Sequence, residues 1–104
     1  MTSLEVRIKP SAQEDILHSV NYYNSKKENL GFELILEIDS SLERIKYFPE
    51  IAPVVYKDFR QILTRRFPFR IFYKISENYI DVYAVLHQSR EFRRLLELSS
   101  HGGH

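Results

Sequence analysis

The sequence predicts an α+β domain with the element order β-α-α-β-β-β-α, in which an antiparallel helical hairpin packs on one face of a mostly antiparallel sheet. Two stretches, 69–75 and 79–87, alternate apolar and polar side chains, which is typical of strands with one buried face. Residues 12–45 instead space their apolar side chains by three and four, as amphipathic helices do. A break at 29–31 divides that region into two helices.

The first strand is expected at residues 4–9, where apolar and charged side chains alternate up to Pro10. The first helix should begin with a capping box made by Ser11 and Glu14. It should end near residues 27–28. Its apolar stripe consists of Ala12, Ile16, Val20 and Tyr23.

The second helix is expected to end before Pro49, because the residue preceding a proline is pushed out of helical backbone angles. Its apolar stripe is predicted to contain Phe32, Leu34, Ile35, Ile38, Leu42 and Ile45. The short link between the helices implies an antiparallel hairpin. Two helices with one apolar stripe each can cover a sheet with one apolar face.

A strand at 59–65 is predicted to turn at 66–68 into a β-hairpin made of residues 69–75 and 79–87. Ser76-Glu77-Asn78 closes this hairpin, with Asn78 suited to a left-handed backbone. Alternation assigns Ile80, Val82, Ala84 and Leu86 to one face of the last strand. Residues 91–98 are predicted to form a short amphipathic helix.

Length and composition predict one domain at residues 1–98, followed by a disordered tail at 99–104. The chain has no cysteine, which excludes disulfides, thiol catalysis and cysteine-type zinc sites. We expect no metal site, since the pair His101 and His104 has no partner acid or cysteine nearby. His18 is a weaker catalytic candidate than a histidine at a strand end, and no cofactor is expected. No leader sequence or membrane-spanning run is evident, so a cytoplasmic protein without membrane contact is expected.

Basic residues are concentrated between residues 57 and 74, although the net charge is only +1. The basic series consists of Lys57, Arg60, Arg65, Arg66, Arg70 and Lys74. If these side chains converge on one face, they form a binding surface for phosphates or an acidic partner. The alternative interpretation is a solvated sheet face that blocks edge pairing.

His87 is a second candidate, because it ends a strand shortly before Arg90 and histidine can transfer protons at neutral pH. Alternatively, it only hydrogen-bonds a backbone carbonyl at the strand end. The aromatic residues among the basic series are Phe67, Phe69, Phe72 and Tyr73. They either stack on bases or belong to the core, and the alternation favours the core for Phe69 and Tyr73.

The sequence resembles the RelE/ParE superfamily of bacterial toxins over most of its length. In the first half the likeness is carried by Ala12, Asp15, Ile16, Tyr22, Tyr23, Leu30-Gly31-Phe32, Leu42, Ile45 and Phe48-Pro49. In the second half it is carried by Arg60, Phe67-Pro68-Phe69-Arg70-Ile71-Phe72-Tyr73, Ile80, Val82, Ala84-Val85-Leu86-His87 and Arg90. The resemblance implies a helical hairpin on a mostly antiparallel sheet.

The resemblance also implies a function. Members of the superfamily are toxins of type II toxin–antitoxin modules, often called plasmid stabilisation proteins, and a cognate antitoxin neutralises them. ParE-like members inhibit DNA gyrase, whereas RelE-like members cut mRNA in the ribosomal A site without a metal. An antitoxin segment would fold on the toxin and pair acidic side chains with the arginines.

The carry-over of residues separates the two branches. A RelE-like nuclease would use Arg60, Arg70 and Arg90 at the phosphate and His87 for proton transfer. Gln61 and Leu63 stand where that branch has two lysines, and Leu96 where it has a tyrosine. The resemblance therefore favours the ParE-like branch, and a degenerate member that only binds is a third possibility. Binding of the target or antitoxin is assigned to Lys57, Arg60, Arg65, Arg66, Arg70 and Arg90.

Overall fold

A computed structural model describes residues 3–89. The elements are β1 (Glu5–Ile8), α1 (Pro10–Lys26), α2 (Leu30–Tyr47), β2 (Val54–Tyr56), β3 (Phe59–Leu63), β4 (Phe69–Ile75) and β5 (Tyr79–His87). The α+β class is confirmed. The predicted helix at 91–98 and the predicted tail at 99–104 lie outside the described residues. None of the helices within 3–89 has the length and apolar character needed to cross a membrane.

The five strands form one sheet in the order β1-β5-β4-β3-β2. Strand β1 runs parallel to β5, and every other neighbouring pair is antiparallel. The sheet is therefore mostly antiparallel, as predicted, with its two edges formed by β1 and β2. Strand β2 was not predicted, because a three-residue edge strand is too short to show an alternation.

Helix α1 begins earlier than its predicted cap. Pro10 occupies the first turn, where its missing amide hydrogen is not needed, and the preceding Lys9 makes no side-chain cap. The predicted capping box of Ser11 and Glu14 is therefore wrong, since Ser11 is already inside the helix. The hydroxyl of Ser11 instead donates a hydrogen bond to the carbonyl of Tyr83 at 2.7 Å.

The two helices approach each other most closely at Gly31. Asn29 turns the chain between them with a left-handed backbone, φ 66°. The amide of Gly31 donates to Asn24 Oδ1 at 2.8 Å. A Cβ at Gly31 would lie 2.5 Å from the carbonyl oxygen of Val20, so only glycine allows this approach. The predicted antiparallel helical hairpin is confirmed.

The main core lies between the helices and one face of the sheet. It consists of Ala12, Leu34, Ile38, Leu42, Ile45, Ala52, Ile62, Phe67, Phe69, Ile71, Tyr73, Ile80, Val82 and Val85. Partly buried Ile16, Val20 and Tyr23 complete the predicted stripe of α1. Phe32 and Ile35 were predicted to belong to the stripe of α2, but both are exposed. The buried stripe of α2 is narrower than predicted.

A second cluster lies on the sheet face away from the helices. It consists of buried Phe59, Phe72, Ala84 and Leu86, with Tyr56 and Tyr83 packed against them. The prediction that Ala84 and Leu86 share a face with Ile80 and Val82 is wrong. A bulge at Tyr83 leaves that residue without an opposite partner on β4. One extra residue reverses the alternation, so the two halves of β5 bury opposite faces.

The β4–β5 hairpin is confirmed, with Ser76-Glu77-Asn78 as its turn. Ser76 closes this turn, because its amide and its hydroxyl both donate to the carbonyl of Tyr79. Within residues 3–89, the non-glycine residues with positive φ are Asn29 and Lys57, so the predicted left-handed backbone at Asn78 is wrong. At the preceding loop, the hydroxyl of Thr64 donates to the carbonyl of Phe67. Strand β3 accordingly ends at Leu63 rather than at residue 65.

Candidate functional site

The basic series does not converge on one face of the sheet. Arg60 lies opposite Tyr73 in the strand register, on the face that the helices cover. Arg70 lies two residues before Phe72 on β4, on the face away from the helices. The expectation of a single basic face is therefore wrong, since strand parity separates these two arginines.

Arg60 forms hydrogen bonds with the connector between α2 and β2, residues 48–53. Its Nη1 donates to the carbonyl oxygens of Ala52 at 2.6 Å and Glu50 at 3.4 Å. The neighbouring Tyr73 hydroxyl donates to the carbonyl of Pro49 at 2.7 Å. Burial raises the pKa of the Tyr73 phenol, and the opposing charge of Arg60 does not cancel that effect, so Tyr73 remains a donor. Arg60 and Tyr73 thus hold the connector against the sheet.

Arg65 and Arg66 form the loop between β3 and β4, which docks on carboxylates of α2. The backbone amides of both residues donate to Glu37 Oε1, at 2.5 and 2.9 Å. The Arg66 guanidinium lies 2.5 Å from the carboxylate of Glu33. The charge of Arg66 is therefore neutralised within the chain, whereas the side chain of Arg65 extends from an exposed position.

The two lysines of the series lie against aromatic rings near β3. Lys74 Nζ is 3.3 Å from the carboxylate of Asp58 and 4.4 Å from the ring centre of Phe59. Lys57 has a left-handed backbone, φ 51°, and its Nζ lies 5.5 Å from the ring centre of Tyr56. Both cations are thus placed by local cation–π contacts.

Arg70 and His87 lie at the same end of the β4–β5 hairpin but on opposite faces of the sheet. Arg70 Nη2 donates to the carbonyl of Gln88 at 2.9 Å, which braces the end of the β4–β5 hairpin. His87 pairs with Phe69 and contacts that ring edge-on, with centroids 5.6 Å apart. Arg90, the remaining candidate, lies outside the described residues.

The hydrogen bonds of His87 define its neutral tautomer. The amide of Ser89, which can only donate, lies 3.1 Å from His87 Nδ1, and the Ser89 hydroxyl lies 2.8 Å from the same atom. Nδ1 is therefore an acceptor, and the neutral ring carries its proton on Nε2. This contact resembles the structural alternative considered for His87, although the partner is an amide rather than a carbonyl.

His87 lines a cleft of about 900 Å³ between α1 and the ends of β4 and β5. The ionisable lining residues are Glu14, Asp15, His18, Lys26 and His87, and the apolar ones include Tyr23, Leu30, Phe69 and Val85. Within residues 3–89, no three histidine or carboxylate side chains come together as a metal site. The cleft thus places carboxylates, imidazoles and a lysine beside an apolar wall.

Sequence reasoning missed the residues that cover the edge of β5 beyond β1. Asp15 Oδ2 accepts a hydrogen bond from the amide of Val85 at 3.0 Å, and Ser11 bonds to Tyr83. It also missed the ion pair in which Arg7 Nε and Nη2 contact the two carboxylate oxygens of Asp81 at 2.7 and 3.0 Å. Both features depend on where α1 and β1 meet β5, which no local sequence signal reports.

These features define a class of protein: a small α+β domain in which a helical hairpin covers one face of a mixed, mostly antiparallel sheet. The chain belongs to the family of ParE toxins of type II toxin–antitoxin systems (parDE), whose family model matches residues 6–92. The sequence resemblance to the RelE/ParE superfamily is confirmed. A comparison with curated proteins gives no match.

Two solved structures are similar to this chain. One is the chromosomal ParDE toxin–antitoxin system of P. aeruginosa, with a TM-score of 0.73 and 10% identity, covering 82% of this chain and 96% of that one. The other is the RelBE2 toxin–antitoxin complex of Mycobacterium tuberculosis, with a TM-score of 0.50 and 15% identity, covering 86% and 97%. At these identities the similarity shows the fold.

Proposed function

We propose that the protein is the toxin of a ParE-type module that inhibits DNA gyrase in the bacterial cytoplasm and is neutralised by a cognate antitoxin. The observation that carries this proposal is the match of the ParE toxin family to residues 6–92. Similarity to chains from two toxin–antitoxin systems supports the antitoxin partner.

The geometry of the arginines supports the gyrase branch over RNA cleavage. Cleavage without a metal needs several cations arranged around one scissile phosphate. Arg60 instead bonds to connector carbonyls on the face that the helices cover, while Arg70 braces Gln88 on the other face. Gln61 and Leu63 supply no charge at the positions of the nuclease lysine pair.

Induced expression of the chain in a bacterium tests the proposal. We expect growth to stop, and growth to recover when the protein encoded by the adjacent gene is expressed with it. Purified chain should inhibit supercoiling of relaxed plasmid by DNA gyrase. Normal growth with soluble, folded chain would contradict the toxin proposal and favour a module that only binds. Growth arrest without any effect on supercoiling would reject gyrase as the target.

The alternative function is a RelE-like, metal-independent endoribonuclease acting on translated mRNA. One observation favours it: His87 lines a large cleft and carries its neutral-ring proton on Nε2. Primer extension on mRNA from arrested cells would then reveal new 5′ ends. His87→Gln should abolish them without loss of stability, while the exposed Arg65→Ala should retain them. Arrested cells whose mRNA is intact remove this alternative.

A further inference from the structure

The outer surface of the helical hairpin carries an apolar patch formed by Leu17, Phe32, Ile35 and Leu36. Their exposed fractions are 62, 57, 37 and 52%. Phe32 and Leu36 are four residues apart on α2, so they lie one above the other on the same helix face. Phe32, Ile35 and Leu36 are apolar residues of α2 that lie outside its buried stripe.

The antiparallel packing of the helices joins Leu17 to this patch. Gly31 lies against Val20, as the 2.5 Å distance from its built Cβ to the Val20 carbonyl shows. One turn onward along α2 leads from Gly31 to Ile35, and about one turn back along α1 leads from Val20 to Leu17. Leu17 and Ile35 are therefore at the same level of the hairpin.

Two carboxylates continue the same line of α2. Asp39 and Glu43 follow Leu36 at steps of three and four. Along this exposed face, each of two helical turns therefore presents an apolar side chain, and each of the next two presents a carboxylate. Both side chains are exposed, and neither has an ion-pair partner within residues 3–89. Two other acidic residues of α2 lie on the side that meets the β3–β4 loop: Glu33 forms an ion pair with Arg66, and Glu37 accepts hydrogen bonds from the amides of that loop.

We propose that this face, which we call the outer strip, binds an amphipathic helix of a partner protein. That helix would present two turns of large apolar residues to Phe32 and Leu36 and two turns of lysine or arginine to Asp39 and Glu43. Helix-in-groove recognition uses such anchors at i, i+3, i+4 and i+7. The charge of the outer strip selects a basic partner segment, the opposite of the acidic segment expected to pair with the arginines.

A second copy of this chain does not fit the outer strip. A parallel arrangement of two strips would set Asp39 and Glu43 against the same residues of the other copy. An antiparallel arrangement would desolvate them against Phe32 and Leu36 without a compensating charge. A partner with basic residues satisfies both halves, and this inference does not depend on the proposed function.

Two synthetic helical peptides, each as long as α2, test the proposal on the full chain. One has leucines over two turns of one face and lysines over the next two, and the other has glutamates in place of the lysines. We expect calorimetry to show at least about tenfold tighter binding of the lysine peptide. The amide chemical-shift changes that this peptide causes in the chain should map to the outer strip. Leu36→Ser should abolish binding.

Charge reversal provides the matched control. D39K/E43K should bind the glutamate peptide in preference to the lysine peptide. E5K/E77K makes the same change in net charge at exposed acids elsewhere and should keep the original preference. Equal behaviour of the two double variants, shift changes on another surface, or no binding of either peptide would overturn the proposal. So would a concentration-dependent dimer of the native chain that Leu36→Ser dissociates.

Discussion

At the scale of single residues, the ion pair of Arg7 and Asp81 shows how the sheet accommodates a buried charge. Asp81 is only 6% exposed, yet both of its carboxylate oxygens accept hydrogen bonds from Arg7. These hydrogen bonds, reinforced by the positive charges of Arg7 and Lys9, hold the pKa of Asp81 below its usual range, although burial opposes them. The ionised form is therefore the stabilising one.

Asp81→Asn should lower the free energy of unfolding at pH 7 by about 1–2 kcal/mol, because it replaces charge-assisted hydrogen bonds with weaker ones. A lowered folded-state pKa gives a stabilisation that is present above the usual carboxyl pKa and lost as pH falls through the folded pKa. The difference between the variant and the native chain should therefore shrink below about pH 4. Urea unfolding at several pH values measures it.

The control for this prediction is Asp58→Asn, which removes a largely exposed carboxylate from its contact with Lys74. Exposed ion pairs contribute little to stability, so this variant should differ from the native chain by less than about 0.5 kcal/mol at pH 7. A difference for Asp81→Asn that is constant from pH 3 to pH 7 would contradict the assigned pKa shift.

Arg60 and Arg65 should respond differently to alanine, although both belong to the basic series. Arg60→Ala removes two hydrogen bonds to connector carbonyls and should lower the free energy of unfolding by about 1–2 kcal/mol. Arg65→Ala removes an exposed side chain and should change stability by less than about 0.5 kcal/mol. Thermal unfolding of the two variants compares them directly, and equal values would disprove the structural role of Arg60.

At the scale of elements, the contact between the helices depends on a missing side chain. Alanine is normally preferred to glycine in a helix by about 1 kcal/mol. At Gly31 the sign reverses, because the new Cβ would lie 2.5 Å from the Val20 carbonyl and 2.8 Å from Asn24 Cγ. Gly31→Ala should therefore destabilise the chain by about 1–3 kcal/mol, the usual range for overpacking. Ser40→Ala, at an exposed position of α2, should be neutral or slightly stabilising by urea unfolding.

Hydrogen exchange can measure how well the amides are protected along the edge of β5 that β1 does not cover. Asp15 accepts the hydrogen bond of the Val85 amide where β1 no longer covers β5. Asp15→Ala should accelerate exchange at Val85 while leaving Ile71, in the interior of β4, unchanged. Ser11→Ala is the control, because the Ser11 hydroxyl donates to the carbonyl of Tyr83 rather than accepting from the Val85 amide. Unchanged exchange at Val85 would mean that this bond does not persist in solution.

Element types were predictable from the sequence, whereas strand faces were predictable only in part. A period of two in the sequence identified β4 and β5, although the structure buries side chains on both faces of each strand. The bulge at Tyr83 was not predictable. Every residue from 82 to 86 is apolar or aromatic, so the sequence gives no sign of where an extra residue lies. The exposure of Phe32 was missed for a related reason: hydrophobicity alone does not tell a core residue from a surface residue.

At the scale of the whole molecule, the sequence predicted the fold class and the family, but it could not place the arginines relative to each other. Clustering along the chain between residues 57 and 74 suggested one basic surface. Strand parity, the docking of the β3–β4 loop on α2 and the connector carbonyls instead divided the cluster among three surroundings. Convergence of side chains is a property of tertiary packing, which local charge density does not report.

This division predicts a weak response of nucleic-acid binding to salt. Six converging cations would give a slope of log K against log salt near about −4 for single-stranded RNA. Arg60, Arg66 and Lys74 are occupied within the chain, so at most three cations of the series can contact phosphates and we expect a slope no steeper than about −2. Fluorescence anisotropy of a labelled oligonucleotide at several salt concentrations measures it, and a slope near −4 would restore the single basic surface.

The parallel pairing of β1 with β5 also governs when a newly made chain can complete its sheet. Glu5 is paired with Tyr79 and Ile8 with Val82. Strand β1 therefore cannot pair until β5 has been synthesised. Contacts between such distant segments slow folding, because the intervening chain must be closed first. A ribosome stalled before β5 leaves the exit tunnel would therefore carry a nascent chain with an unpaired leading strand. Any activity that needs the complete sheet can therefore begin only after β5 has been synthesised.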